Sequence, residues 1–473
     1  MSRGPAFDLV VRGGAVTSDG HSEIADVAIR DGVITQVGGH PIGARTIDAT
    51  GCHVLPGGVD AHVHFTPMTE PAPGEPVRPD DFESGTRAAV AGGITTVGSM
   101  AHQWVGGTLQ DAIDREVIAA RGRTLTDFFV HPVLNDPTSS ARAEIADLER
   151  TGQPSVKVFM SFRGFDDRVE EYLEAFREAG RHGVRVLVHC EDGALIRRMA
   201  VWLVEDGMRD AGFYPRAHPV GSEVAAVTRA IEFARAADVS IYVVHLGSAD
   251  ALDVCRSARA RGQRIAVETR PMYLHLTRET LEASDGARYV GNPPVGGEGD
   301  RVALWEGLAA GDVDTVCSDH APWTLEQKLD PTRDVSSFLP GVADLETLMP
   351  MLFSEGVRAG KLSFERFVEV TSTGAARLFG LYPTKGVIAE GSDADLGIWN
   401  PRVRRRIDGA RMQSRAGYSV YDGWDVHGWP VVTVSRGEVV WAEGDVQGAP
   451  GRGRLLARSI ESDAGRERRD HHA

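Results

Sequence analysis

The sequence predicts an α/β protein, a (β/α)8 TIM barrel with a smaller β-sandwich domain formed from both chain ends. Three observations predict it. Between about residue 53 and about residue 320, eight short β-rich runs alternate with helix-like segments. The runs are apolar on both faces, as strands of a parallel sheet covered by helices must be. At both ends of the 473-residue chain the rhythm changes to short alternating strands broken by Asp-Gly, Arg-Gly or Gly-Ser. That length exceeds one simple core and accommodates a large barrel plus a smaller unit. The expected division is 1–54 with 384–450 for the sandwich, 55–383 for the barrel and 451–473 for a polar C-terminal tail.

Taken in order, DLVVRGGAVTSDG and ADVAIRDGVITQVGG open the chain as strands, with a hairpin marked by Asp31-Gly32. The barrel strands read HVLPGGVDAHVHF, ITTVGSM, DFFVHPVL, SVKVFM, VRVLVHC, SIYVVHL, RIAVETR and DTVCSDH. Helices are expected in DDFESGTRAAVAGG, GTLQDAIDREVIAARG, DRVEEYLEAFREAGRHG and SADALDVCRSARARG, and again near 343–358 and 363–379. GVIAEGSDADLGIWNP and PVVTVSRGEVVWAEG return to strands. The final stretch, GRGRLLARSIESDAGRERRDHHA, is polar and expected to fray, so His471 and His472 carry little weight as ligands.

Composition narrows the function classes. An apolar fraction of 42% and a charged fraction of 25% are ordinary for a globular protein. The net charge of −16 argues against nucleic acid as a partner. No run approaches the ~18 apolar residues of a membrane span. The N-terminus lacks the apolar core of a signal peptide, so a cytoplasmic location is expected. Cys52, Cys190, Cys255 and Cys317 are far apart, which points to neither a zinc knuckle nor a disulfide framework.

Functional residues of a parallel barrel lie at the C-terminal ends of its strands. His62 and His64 end the first run, and residues two apart on a strand point to one face. Lys157 lies in the fourth run, His189 ends the fifth, His245 the sixth and Asp319 the eighth. Each has an ordinary explanation alone: a hydrogen-bonded core histidine, a helix-capping aspartate, an edge-strand lysine. All of those would have to hold together at one end of one barrel. Imidazoles and a carboxylate suit zinc, with manganese, cobalt and nickel as the other candidates. Two ions fit better than one, His62, His64 and Asp319 on the first and His189 and His245 on the second. A bridging anion is then needed, and no Asp or Glu stands on the fourth run. An ammonium has no lone pair to give, so Lys157 cannot ligate as it stands. Burial beside cations would lower its pKa.

With those residues in view, the chain resembles the cyclic amidohydrolases of the hydantoinase/dihydropyrimidinase family over nearly its whole length. The resemblance is carried by PGGVDAHVHF, DDFESGTRAAVAGGITTV, SVKVFM, VHCEDG, VVHLGSADAL, DTVCSDHAPW and FGLYPTKGVIAEGSDADLGIWNP. It implies that His62, His64, Lys157, His189, His245 and Asp319 hold two divalent metal ions, with Lys157 carboxylated as the bridging carbamate. It further implies a shared hydroxide that attacks the ring carbonyl of a small cyclic amide, with Asp319 as general base and then acid. The ring opens to an N-carbamoyl amino acid. A homo-oligomer, tetramer or dimer, is implied too.

Three departures stand out. Phe162 takes the place of the family's oxyanion-binding tyrosine, and Asn292 that of a serine in the substrate-binding Ser-Pro-Pro segment. The loop TPMTEPAPGEPVRP after His64 is long and Pro-rich, and VSSFLPGVADLET at 335–347 also differs. These departures predict an active hydrolase with a substrate unlike that of the best-known members. The alternatives are an allantoinase and a non-catalytic scaffold relative. The filled ligand positions argue against the scaffold.

Overall fold

In the computed structural model, which describes residues 7–72 and 74–460, all eight expected runs form one parallel sheet, in sequence order around the barrel. The strands are Gly58–Val63, Ile94–His102, Asp127–Val133, Ser155–Phe159, Arg185–His189, Ile241–Val243, Ile265–Thr269 and Thr315–Val316. The circle closes where Val63 bridges His320 in parallel and the His64 N–H donates to the His320 carbonyl at 2.9 Å. The first five strands are buried at every residue, because helices cover the outside and side chains fill the inside.

The expected helices form at Phe82–Ala91, Leu109–Ala120, Val169–Arg181 and Ala249–Ala260. The first starts where it does because Asp81 accepts from the backbone of Glu83 and Ser84 while the Ser84 hydroxyl reaches back to the Asp81 N–H. That box fixes the end of the long loop that leaves the first strand.

The two chain ends join in a nine-stranded sheet beside the barrel. Its longest N-terminal strand, Phe7–Ser18, has two sets of parallel partners. Residues 7–12 pair with Gly43–Asp48, and residues 15–16 with His53–Pro56. The change of partner falls at Gly13 and Gly14, where the register shifts and Gly13 has a φ of 69°. A side chain at Gly14 would meet Val54 at 2.5 Å. His53–Pro56 also pairs antiparallel with the returning strand Leu396–Arg406, so the two ends are stitched directly. The run HVLPGGVDAHVHF is therefore split at Gly57, half in this sheet and half in the barrel.

The expectation of a frayed tail from residue 451 fails over 451–460. Leu455 bridges Phe128, and Arg458 is 3% exposed. The Arg458 guanidinium donates to the Val130 carbonyl and the Ser155 hydroxyl and lies 4.4 Å from the Phe129 ring centroid. Polar composition concealed this because the arginine finds its partners inside. His471 and His472 lie outside the described residues. Among the described residues no helix is long and apolar enough to cross a membrane.

Candidate active site

The strand ends bring the predicted residues together. His62, His64 and Asp319 each offer a ligand atom, all within 4.8 Å of one another. His62 Nε2 is 3.4 Å and His64 Nε2 3.2 Å from Asp319 Oδ1. His189 Nδ1 and His245 Nε2 face each other at 2.9 Å. The two groups adjoin, since the His62 and His245 rings stack with centroids 5.6 Å apart. Ligand atoms each about 2.1 Å from one tetrahedral ion are about 3.4 Å apart, so these separations are of the right size.

Lys157 is fully buried, and its Nζ has no hydrogen-bond partner. Burial pushes its pKa down to about 8, against the pull of Glu268 and Asp319. His62 Nε2, His64 Nδ1 and His245 Nδ1 are likewise buried without a hydrogen-bond partner. Unpaired buried polar atoms are rare in folded proteins and call for an explanation. Here they are imidazole nitrogens and an amine at the mouth of a barrel, a donor set that fits divalent cations. Burial also drives the His64 pKa down to about 3, keeping the ring neutral as ligation requires.

Two of these residues have a left-handed backbone, His245 with φ 37° and Asp319 with φ 48°. Such a conformation costs a non-glycine residue on the order of 1–3 kcal/mol and persists only where neighbours enforce it. Glu268 Oε1 accepts the His245 N–H at 2.9 Å. Asp60 accepts the Ser318 N–H, tying the residue before Asp319 to the first strand.

A further layer of polar groups orients these side chains, and sequence reasoning missed it. Glu268 Oε1 pairs with His62 Nδ1 at 2.8 Å. Glu191 Oε2 pairs with His189 Nε2 at 2.8 Å, and its other oxygen with His218 Nδ1 at 2.7 Å. Arg270 donates to Asp319 Oδ2 at 2.8 Å. Burial opposes ionisation of Asp319, but the Arg270 and His62 charges outweigh it and hold the carboxyl well below the usual range. The signal was present in the strand-end motifs: Glu191 is two residues past His189, and Glu268 and Arg270 are two apart in RIAVETR.

The two expected substrate contacts part company. Phe162 lines a cavity of about 350 Å³ with Phe65, Met68, Arg78, Asn135 and Trp323. Its ring stacks on Phe159 at 4.6 Å, and Phe159 in turn touches His189. The Asn292 side chain instead accepts from the Tyr214 hydroxyl at 2.5 Å.

The fold and the strand-end cluster define a barrel hydrolase, and comparison with known proteins specifies which. The amidohydrolase family model matches residues 53–440. A D-hydantoinase of Rhizobium radiobacter is 36% identical over 463 residues, 96% of this chain and 99% of that one. A D-phenylhydantoinase of Escherichia coli (strain SE11) is 34% identical over 95% of this chain and 98% of its own length. The dihydropyrimidinase structure from Brevibacillus agri NCHU1002 superposes with a TM-score of 0.91 at 34% identity, covering 96% and 99% of the two chains. The L-hydantoinase (dihydropyrimidinase) from Arthrobacter aurescens gives 0.88 at 32% identity, covering 96% and 100%. The chain belongs to the amidohydrolase family, in its hydantoinase/dihydropyrimidinase branch, and is a cyclic amidohydrolase.

Proposed function

We propose that this protein opens a hydantoin or dihydropyrimidine ring by hydrolysis to an N-carbamoyl amino acid. The reaction would occur at a centre of two divalent ions held by His62, His64, Lys157, His189, His245 and Asp319. The observation that carries this reading is the buried, unpartnered Lys157 amine among convergent imidazoles and one carboxylate. An amine whose pKa falls to about 8 is partly neutral at physiological pH and can add carbon dioxide. The resulting carbamate would be anionic and bidentate, supplying the ligand that no carboxylate on the fourth strand provides.

When bound, the ions supply a water acidified toward neutrality and a Lewis acid for the ring carbonyl. The chain's own groups do the rest. Asp319 Oδ1 faces His62 and His64, while Arg270 holds Oδ2, so the carboxylate presents one oxygen inward. That oxygen takes the proton of the attacking water and returns it to the leaving amide nitrogen. Glu268 and Glu191 fix the orientation of His62 and His189. Phe162 offers no donor to the developing oxyanion, so that charge is stabilised without the hydrogen bond a tyrosine would give.

The test is hydrolysis of a panel by metal-loaded protein: hydantoin, an aryl-substituted hydantoin, dihydrouracil, allantoin and dihydroorotate. Ring opening of a hydantoin or dihydrouracil is expected, with two ions per chain by elemental analysis. A full metal complement with none of these rings opened would overturn the assignment.

A further inference from the structure

One cation at the mouth of the site has no part in the mechanism above. Residues 66–69, 71 and 75–78 after His64 wall the 350 Å³ cavity together with Phe65, Phe162 and Trp323, and the wall is mostly apolar. Arg78 is set into it. Its guanidinium lies 5.4 Å from the Trp323 ring, and its Nη2 is 3.4 Å from Met68 Sδ. Its Nε is shielded from solvent and has no hydrogen-bond partner.

Among the described residues no carboxylate comes within the 4.0 Å of an ion pair with Arg78. Two acids line the same cavity, and both are engaged elsewhere. Glu75 accepts from the Ala72 N–H at 3.1 Å. Asp80 accepts from His320 Nε2, the Ser414 hydroxyl and the Arg415 N–H.

Those contacts of Asp80 pin the chain two residues past Arg78 to His320, the neighbour of Asp319. The helix cap at Asp81 follows at once. The guanidinium therefore hangs from an anchored stretch, in a cavity also lined by Phe65, the residue after His64, and by Asn135, whose Nδ2 lies 3.5 Å from His102 Nδ1, a ring stacked on that of His64 with centroids 5.8 Å apart. Arg78 is half-buried, so its guanidinium is partly withdrawn from water with no anion beside it, which is unfavourable. Its planar fork matches a carboxylate in two parallel hydrogen bonds.

We propose that Arg78 selects cyclic amides whose ring substituent ends in a carboxylate, which it binds within the pocket walled by Phe65, Phe162 and Trp323. This rests on the ring-opening activity proposed above and names the substrate class for it. An uncharged substituent would meet the same walls but leave the cation unpaired.

The test compares the hydantoin of glutamate with its neutral isostere, the hydantoin of glutamine. The shorter aspartate and asparagine pair is run beside them. With metal-loaded wild-type protein, kcat/KM for the acidic member of at least one pair should exceed the neutral one by about tenfold or more, the scale of a charge-assisted bidentate pair. Arg78→Gln should reduce that ratio to near one through KM of the acidic substrate, with turnover of the neutral one kept. Arg78→Lys, which keeps the charge and the length of the stem, should fall between them. Equal rates for acid and amide at both lengths in the wild type overturn the proposal. So does an equal loss on both members in Arg78→Gln, because that would assign the guanidinium to the ring or to the carboxylate formed on opening. If dihydrouracil and unsubstituted hydantoin are also untouched, the ring-opening reading fails, and this inference falls with it.

Discussion

Lys157 tests the site most sharply at the scale of single residues. It is buried without a hydrogen-bond partner, and its Nζ lies 5.0 Å from the centroid of the Phe159 ring, which leaves the amine's donors unsatisfied. Lys157→Ala should abolish ring opening, and short carboxylic acids such as acetate or propionate should partly restore it by filling the vacated bridging position. A fully active alanine variant would refute the carbamate. His62→Ala should remove bound metal and activity together, and unchanged metal content in that variant sinks its role as a ligand. Glu268 acts through others, accepting from His62 Nδ1, the His245 N–H and the Tyr242 hydroxyl. Removing such an orienting partner typically weakens metal binding by about 10–100-fold. Glu268→Gln should show that loss in competition with a chelator, and unaltered affinity would reduce Glu268 to a packing role.

At the scale of elements, the helix Phe82–Ala91 presses Gly85 against Phe65, the residue after His64. A methyl group at Gly85 would come within 2.1 Å of the Phe65 ring. Overpacking of this kind costs about 1–3 kcal/mol. Gly85→Ala should therefore lower the thermal midpoint and also kcat/KM, because Phe65 can yield only by moving the chain beside His64. An unchanged midpoint would mean that the contact relaxes freely. The helix and the strand ends were legible in the sequence because their signals are local. Asp81 and Ser84 form a cap three residues apart, and His62 and His64 stand two apart at the end of one strand. Glu268 and Arg270 escaped notice because what gives them meaning is distant along the chain. Glu268 meets His62 across 206 positions, and Arg270 meets Asp319 across 49. The side chain of Asn292, expected at the substrate, is taken by Tyr214 from 78 positions away. Strand periodicity fixes which face a side chain takes, but not which partner waits there.

At the scale of the whole molecule, the sheet made from the chain ends is tied to the barrel through Asp127, the first residue of the third barrel strand. Lys385, on the way back from the barrel, places its ammonium 2.7 Å from Asp127 and 2.8 Å from both Asp393 and Asp395. Arg436 reaches the same Asp127 carboxylate from the sheet, and the Arg454 N–H adds a bond from the C-terminal segment. Burial works against the charge on Lys385, but the three carboxylates outweigh it and raise its pKa above the usual lysine range. A raised lysine pKa stabilises the fold fully below the unfolded value of about 10.4, and the contribution disappears only as pH climbs through the folded value. Lys385→Met would leave Asp127 and Asp395 buried beside an apolar chain. Breaking a buried ion pair from one side costs about 3–5 kcal/mol. Urea titration should show that loss of stability, nearly constant from about pH 6 to 9 because no raised-lysine titration falls in that window. Asp127 begins its strand, at the end of the barrel opposite the site, so ring-opening activity per folded molecule should be unchanged. A variant as stable as the wild type would show that the sheet and barrel are held by their apolar contacts alone. A stable variant with lost activity would mean that this hub reaches the strand ends through the barrel wall.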